Sequence, residues 1–181
     1  MLSNLTKIEA SGRRASKIVK QLLDFSRKSY YNFSPLDLAV YLTKFVKGAQ
    51  NTMPENIILS LEIVPGDHLV LADPEQMQHV ITNIVSNAKD SIHLKGTINI
   101  QLNSCDVVSE QKCLLCDDVV KGQWVNFSVK DTGTGIAKEI LPHIFEPFFS
   151  TKEIGKGVGL GLSQIFGIVS RHGGHLTLET D

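Results

Sequence analysis

Apolar residues recur at three- and four-residue spacings near the start of the chain: Leu5, Ile8, Ala15, Val19 and Leu22, with Ile18 and Phe25 widening the stripe. Residues 2–28 hold no proline and only Gly12, so the pattern predicts one long amphipathic helix. At a rise of about 1.5 Å per residue it would run roughly 40 Å, more than one small domain can cover. The stripe therefore predicts packing in a helical hairpin or a dimer bundle; a surface helix folded back on the domain is the alternative. Tyr30 to Pro35 ends it, because the residue before a proline is disfavoured in a helix. We place the boundary there, with residues 1–32 as a helical arm and 33–181 as the globular unit.

Within the globular unit, Leu38, Tyr41, Leu42, Phe45, Val46 and Ala49 predict a helix from Leu36 to about Thr52. Alternation predicts strands at 57–63, 68–71, 97–103 and 123–130, with 104–122 as an insertion. Asp73 as cap and Pro74 at the first helical position predict a helix to about His93, with Met77, Val80, Ile81, Ile84, Val85 and Ala88 facing inward. A last helix is expected over 159–171, ended by Gly173-Gly174, then a final strand over 175–179. The expectation is an α+β domain, an open sheet with helices on one face in a two-layer α/β sandwich.

With 42% hydrophobic and 20% charged residues, the 181-residue chain can bury a core. Eighteen Lys and Arg against nineteen Asp and Glu give a net charge of −1, which argues against a nucleic-acid binder. The charge is uneven. Residues 1–30 carry seven basic and two acidic side chains, a net of +5, leaving −6 for the rest. Three cysteines do not make a disulfide scaffold, and Cys105 with the C-x-x-C of Cys113 and Cys116 lacks a convincing fourth zinc ligand. No apolar run approaches the roughly 18 residues of a membrane span. The expectation is a cytoplasmic piece without direct membrane contact, whatever tethers the intact protein.

Three clusters carry chemistry. Asn83 and Asn87 are four residues apart, hence on one helix face, where Asn87 can offer a carboxamide oxygen to Mg²⁺ or the pair can simply face solvent. Asp131-Thr132-Gly133-Thr134-Gly135-Ile136 follows a strand; a carboxylate there can accept a hydrogen bond from a base amine, and the glycines admit a flat ring. Gly155-Lys156-Gly157-Val158-Gly159-Leu160-Gly161-Leu162-Ser163 opens a helix whose N-terminal amides suit a polyphosphate. It is neither a P-loop nor a dinucleotide fingerprint. Between these lies Phe145-Glu146-Pro147-Phe148-Phe149-Ser150-Thr151-Lys152, whose phenylalanines can anchor a lid or serve as core, and whose lysine can reach a phosphate.

An asparagine helix, DTGTGI, FEPFFSTK and GKGVGLGLS, in this order, resemble the ATP-binding domain of sensor histidine kinases, a branch of the Bergerat-fold (GHKL) ATPases. KIVKQLLDFSR, Lys17 to Arg27, resembles the second helix of that family's dimerisation and phosphoacceptor hairpin. The resemblance implies a mixed sheet with helices on one face. It also implies an ATP site of Asn83, Asn87, Asp90, Asp131, Gly133, Gly135, Ile136, Phe145, Lys152, Lys156, Gly157, Val158, Gly159, Leu160, Gly161 and Leu162. Asn87 would hold Mg²⁺, Asp131 would meet adenine, and about 142–158 would form the lid. Implied partners are ATP, a second copy through the N-terminal helix, and a response-regulator receiver domain.

Hydrolysing members resemble one another in placing a glutamate where this chain has Asn83. Without a general base water is a poor nucleophile, which suits transfer of the γ-phosphate to a histidine. The six histidines (His68, His79, His93, His143, His172, His175) all lie outside the arm, and none is followed by an acidic residue. No phosphoacceptor is identified, and the chain reads as a fragment trimmed at both ends. The expected function is the ATP-binding catalytic portion of a two-component kinase acting on a hairpin histidine. The alternatives are a nucleotide-gated interaction module, a GHKL ATPase and a serine kinase of this fold.

Overall fold

In the computed structural model the described residues are 31–114, 119–152 and 158–180, with Gly12, Ser16 and Val19 of the arm. Those three arm residues are helical and exposed; the rest of the expected 2–28 helix and its stripe lie outside the described residues. In chain order the elements are β1 (Ser34–Asp37), α1 (Leu38–Gln50), β2 (Ile57–Ile63), β3 (Leu69–Ala72), α2 (Pro74–Ser91), β4 (Gly96–Lys112), β5 (Val119–Asp131), a 3-10 turn (Leu141–His143) and α3 (Gly161–Arg171).

The main sheet is mixed, in the order β2-β4-β5. β2 runs parallel to β4, with Ile57 opposite Gly96 and Ile63 opposite Leu102, and α2 lies in the crossover such a pair requires. β4 and β5 are antiparallel, with Ile98 opposite Asp131. Alternation decides which face is covered. Ile98, Ile100 and Leu102 are fully buried and pack with Leu38, Leu42 and Val46 of α1 and Ile81, Val85 and Ala88 of α2. Asn99 and Gln101 point to the other side. Two layers, sheet and helices, thus enclose one core, as the sequence pattern implied.

Both long helices begin where their caps dictate. Asp37 accepts the N–H groups of Ala39 and Val40, and Asp73 accepts those of Glu75 and Gln76, with Pro74 opening α2. A second cluster, Val80 of α2 with Ile165 and Ile168 of α3, joins α2 to α3 beside the main core.

The structure adds to or corrects the sequence expectations at three places. Leu36 and Asp37 belong to β1 and not to the helix expected from Leu36; four residues are too few for alternation to show, and Pro35 reads as a breaker. It is tolerated in a two-stranded ribbon that β1 forms with β3, separate from the main sheet. Within the insertion expected over 104–122, β4 extends to Lys112 and β5 starts at Val119, pairing as a hairpin with a register shift between Val107 and Gln111. No strand forms over 175–179. Only His175 and Leu176 are half-buried and residues 177–179 are exposed; the segment is held by a Leu114 N–H to Leu176 carbonyl bond and an edge contact of His175 with Trp124, ring centroids 4.7 Å apart.

Candidate functional site

α2 places two polar groups in line with the opening of α3. Asn83 and Asn87 are half-buried on the side of α2 that meets α3, where Asn83 Nδ2 lies 3.5 Å from Gln164 Oε1. A methyl group added at Gly161 would come within 3.7 Å of Asn83 Oδ1 and 3.9 Å of Asn87 Nδ2. The first turn of α3 therefore stands directly over the asparagine pair. The residue that precedes it, Leu160, is 1% exposed and no side chain caps the turn. Free helix-end amides next to carboxamide oxygens suit an anion carrying a hard cation.

The far end of α2 meets the end of β5. Asp131 Oδ1 lies 2.9 Å from Ser91 Oγ and accepts the Gly133 N–H at 2.8 Å. Oδ2 has no hydrogen-bond partner among the described residues. Gly133 is sterically required: a Cβ there would lie 2.0 Å from Ser91 Oγ and 2.7 Å from Asp131 Oδ1. Gly135 adopts a φ of 67°, which favours glycine. The Ile136 amide is tied to Thr180 Oγ1 at 2.8 Å. From Asn83 to Ser91 α2 spans about 12 Å, so the Asp131 carboxylate and the phosphate-type end sit along one helix.

The expected lid is fixed at its base. Phe148, at φ 70°, donates its N–H to the Gly159 carbonyl at 2.8 Å. A Cβ on Gly159, itself at φ 71°, would lie 2.4 Å from the Phe148 carbonyl carbon. Phe145 packs on Phe166 of α3, centroids 5.7 Å apart, so one phenylalanine anchors the segment while Phe148 is 60% exposed. Lys152 reaches across to α2, 2.6 Å from Asp90 Oδ2 and 3.5 Å from Asn87 Oδ1. Val158 and Leu162 are half-buried beside Leu160.

The structure thus brings Asn83, Asn87, Asp90, Lys152 and Gly161 together, and sets Asp131, Gly133, Gly135 and Ile136 at the other end of the same helix. Lys156 and Gly157 lie outside the described residues, as does Cys116. Cavity volume points elsewhere. A groove of about 510 Å³ lies between α1 and α2, floored by Phe45, Met53 and Val85, and one of about 430 Å³ lies near Asn56 and Thr97. Neither contains Asn87 or Asp131; the convergence of polar groups is the better guide to chemistry. No three His, Cys, Asp or Glu side chains gather as a metal site among the described residues.

A second polar network ties residues 31–33 to the helix ends. Burial works against charge on Asp73, yet the N–H groups of Asn32, Gln76 and Glu75 and the electrostatic pull of His172 hold its carboxyl below the usual range. Tyr31 and Phe33 pack on the His172 ring, and Arg171 donates to the Tyr31 hydroxyl at 2.9 Å. Nearby, burial raises the Tyr41 hydroxyl above its ordinary value while it donates to the Pro74 carbonyl at 2.9 Å.

The family model for histidine kinase-, DNA gyrase B- and HSP90-like ATPases matches residues 72–181, more than half of the chain. The chain belongs to that family. Sensor kinase CckA of Brucella abortus is 34% identical over 178 residues, covering 98% of this chain and 19% of that protein. Sensor histidine kinase ZraS of Klebsiella oxytoca is 30% identical over 168 residues, 92% of this chain and 33% of its own length. A solved structure of histidine kinase ThkA in complex with response regulator protein TrrA superposes with a TM-score of 0.64 at 26% identity, over 94% of this chain and 44% of that one. The chain spans between a fifth and a third of the length of these two curated relatives. It carries the ATP-binding domain of the sensor histidine kinases, a GHKL domain in which helices cover a mixed sheet.

In this ATPase-family domain the residue that sequence reasoning missed is Ser91. Its hydroxyl lies 2.7 Å from the Ala88 carbonyl as well as 2.9 Å from Asp131, so it both ends α2 and orients the carboxylate. Its place four residues beyond Asn87 on the same helix was the available signal. No described helix is long and apolar enough to cross a membrane.

Proposed function

We propose that the chain is the catalytic portion of a two-component sensor histidine kinase, transferring the ATP γ-phosphate to a histidine on a dimerisation hairpin. Residues 1–32 would supply the hairpin's second helix and a homodimer contact, and 33–181 the ATP site. The observation that carries the reading is Asp131, whose Oδ1 is held by Ser91 and the Gly133 N–H while Oδ2 has no hydrogen-bond partner among the described residues. A carboxylate held in that way accepts from the exocyclic amine of adenine and rejects guanine, which presents an acceptor there. Gly133 and Gly135 keep the wall low enough for a flat base.

The residues fit a Mg²⁺-nucleotide. Asn87 Oδ1 is a hard oxygen ligand beside uncapped helix-end amides, and Gly161 leaves room where a side chain would begin to fill the space. Mg²⁺ bound through Asn87 would neutralise phosphate charge and align the transferred group. Asn83, Asp90, Ile136, Phe145, Val158, Gly159, Leu160 and Leu162 would shape or border the nucleotide, and Lys152, with Lys156 and Gly157, would contact phosphates. Catalysis on this side is positioning and electrostatics rather than covalent chemistry. Asn83 bonds Gln164 and is no base, so water is not activated there and the phosphoryl group is kept for a histidine.

By analogy with ThkA and TrrA, the phosphohistidine would pass its phosphoryl group to a receiver domain. The reading places this chemistry in the cytoplasm. Calorimetry with a non-hydrolysable ATP analogue, with and without Mg²⁺, on this chain and on Asp131→Ala tests it. Mg²⁺-dependent binding that falls at least about tenfold in the variant is expected. Equal binding by both chains would sink the assignment of Asp131, and steady phosphate release without phosphohistidine would favour an ATPase.

A further inference from the structure

Asp90 and Asn87 lie three residues apart on α2, so their side chains share one face. Between them stands the ammonium of Lys152, 2.6 Å from Asp90 Oδ2 and 3.5 Å from Asn87 Oδ1. The shorter contact is a charge-assisted bond. It is reached from the other side of the site, by a segment whose base is closed by Phe148 and Gly159. Lysine and aspartate side chains are 34% and 38% exposed, so water reaches the pair and it can exchange.

We propose that Lys152 acts as a stand-in for the divalent cation: its ammonium and the metal compete for the oxygens of Asn87 and Asp90, so that metal entry and movement of Lys152 onto the phosphates form one linked exchange. The inference rests on the ATP-site reading above. Its logic is electrostatic. With Lys152 on Asp90 the patch is neutral. A triphosphate arriving alone would draw Lys152 away and leave the Asp90 carboxylate unpaired against further negative charge. Arriving with a divalent cation, it brings two positive charges for the single one displaced, and Lys152 is released to pair with phosphate oxygen.

The protein's own oxygens are too few to hold the metal against the lysine. Among the described residues no three His, Cys, Asp or Glu side chains gather as a metal site, and Mg²⁺ characteristically completes a sparse protein site with phosphate oxygens. Lys152 thereby makes the site selective for the metal-nucleotide pair over either part alone. It is a specificity-determining residue for the transfer reaction.

The test measures Mn²⁺ binding to the nucleotide-free 181-residue chain by electron paramagnetic resonance of the free ion, for the unmutated chain, Lys152→Met and Lys152→Met/Asp90→Asn. Lys152→Met should bind Mn²⁺ about two- to fivefold more tightly at low salt, and the double variant should lose that gain. Lys152→Gln replaces the methionine variant if circular dichroism shows the latter unfolded. A lysine that merely tethers the segment would lower the melting temperature on mutation and leave Mn²⁺ affinity unchanged, which overturns the exchange. Calorimetry with the ATP analogue on the unmutated chain separates the two ideas. No analogue binding defeats the ATP-site reading itself, whereas analogue binding with unchanged Mn²⁺ affinity in Lys152→Met defeats only the exchange.

Discussion

The backbone N–H of Asp73 donates to Nε2 of His172 at 3.1 Å, joining residues 99 positions apart. One partner caps the start of α2 and the other closes the end of α3. These helices carry the asparagines and the uncapped amides of the site, so this bond helps to set their relative position. Asn32 reaches the same place, donating its N–H to Asp73 Oδ2 at 2.8 Å. Asn32 is thus fastened at a joint between the two helices of the proposed nucleotide site.

Replacing His172 with Leu orphans the N–H of Asp73, which sits in a residue only 6% exposed. Leaving such a donor unpaired costs about 1–3 kcal/mol. Urea unfolding of His172→Leu should show a lower midpoint with an unchanged slope; an unchanged midpoint would show that water replaces the imidazole.

Asp73 also fixes a pH dependence. Its carboxyl is held below the usual range in the fold, so its stabilisation is fully present above the unfolded value of about 3.9. It is lost as pH falls through the lower folded value. Asp73→Asn keeps a competent cap but carries no charge. Melting temperatures of the unmutated chain and Asp73→Asn should therefore converge as the pH is lowered from about 5 to 3. Parallel curves would contradict the assignment.

Gly133→Ala should abolish binding of the ATP analogue while the domain stays folded. The new methyl would meet Ser91 Oγ at 2.0 Å and Ser91 Cβ at 2.5 Å. Adding Ser91→Ala removes only the first clash, so the double variant should remain deficient in titration calorimetry. Full recovery would mean that Gly133 matters only through the serine hydroxyl.

At Gly159 both backbone conformation and space exclude a side chain, given a φ of 71° and the Phe148 carbonyl carbon 2.4 Å from a Cβ. Gly159→Ala should cost at least about 1 kcal/mol from the left-handed conformation alone, with the clash added. Thermal melts should record the loss, and proteolysis should cut sooner around Phe148. Wild-type behaviour in both would show that the base of the segment can open without penalty.

What was legible in the sequence followed physical locality. Asp73-Pro74 announced α2 because an N-cap and a first-turn proline act within one turn of chain. Leu42, Val46, Ile81 and Val85 announced the core because periodicity is local too. β1 was invisible, since the pairing of Ser34 with Ala72 is supplied by a partner far along the chain. The strand expected over 175–179 failed for the complementary reason: alternation is written in the sequence, but a hydrogen-bonding neighbour is not. Within the site, the motifs pointed to Asn83, Asn87, Asp131 and Gly133. Ser91 and the reach of Lys152 to Asp90 depend on how α2 meets β5 and the following segment, which no single motif contains.

The mixed character of the sheet has a kinetic consequence. β4 and β5 are neighbours in sequence and can close as a hairpin, an event of about microseconds. Pairing β2 with β4 requires the chain to wrap β3 and all of α2 around first, and such non-local closure is slow. Ile98, Ile100 and Leu102 belong to both pairings. Until β2 arrives, their strand has one open edge, and folding of the domain is exposed to intermolecular pairing there for as long as α2 takes to dock.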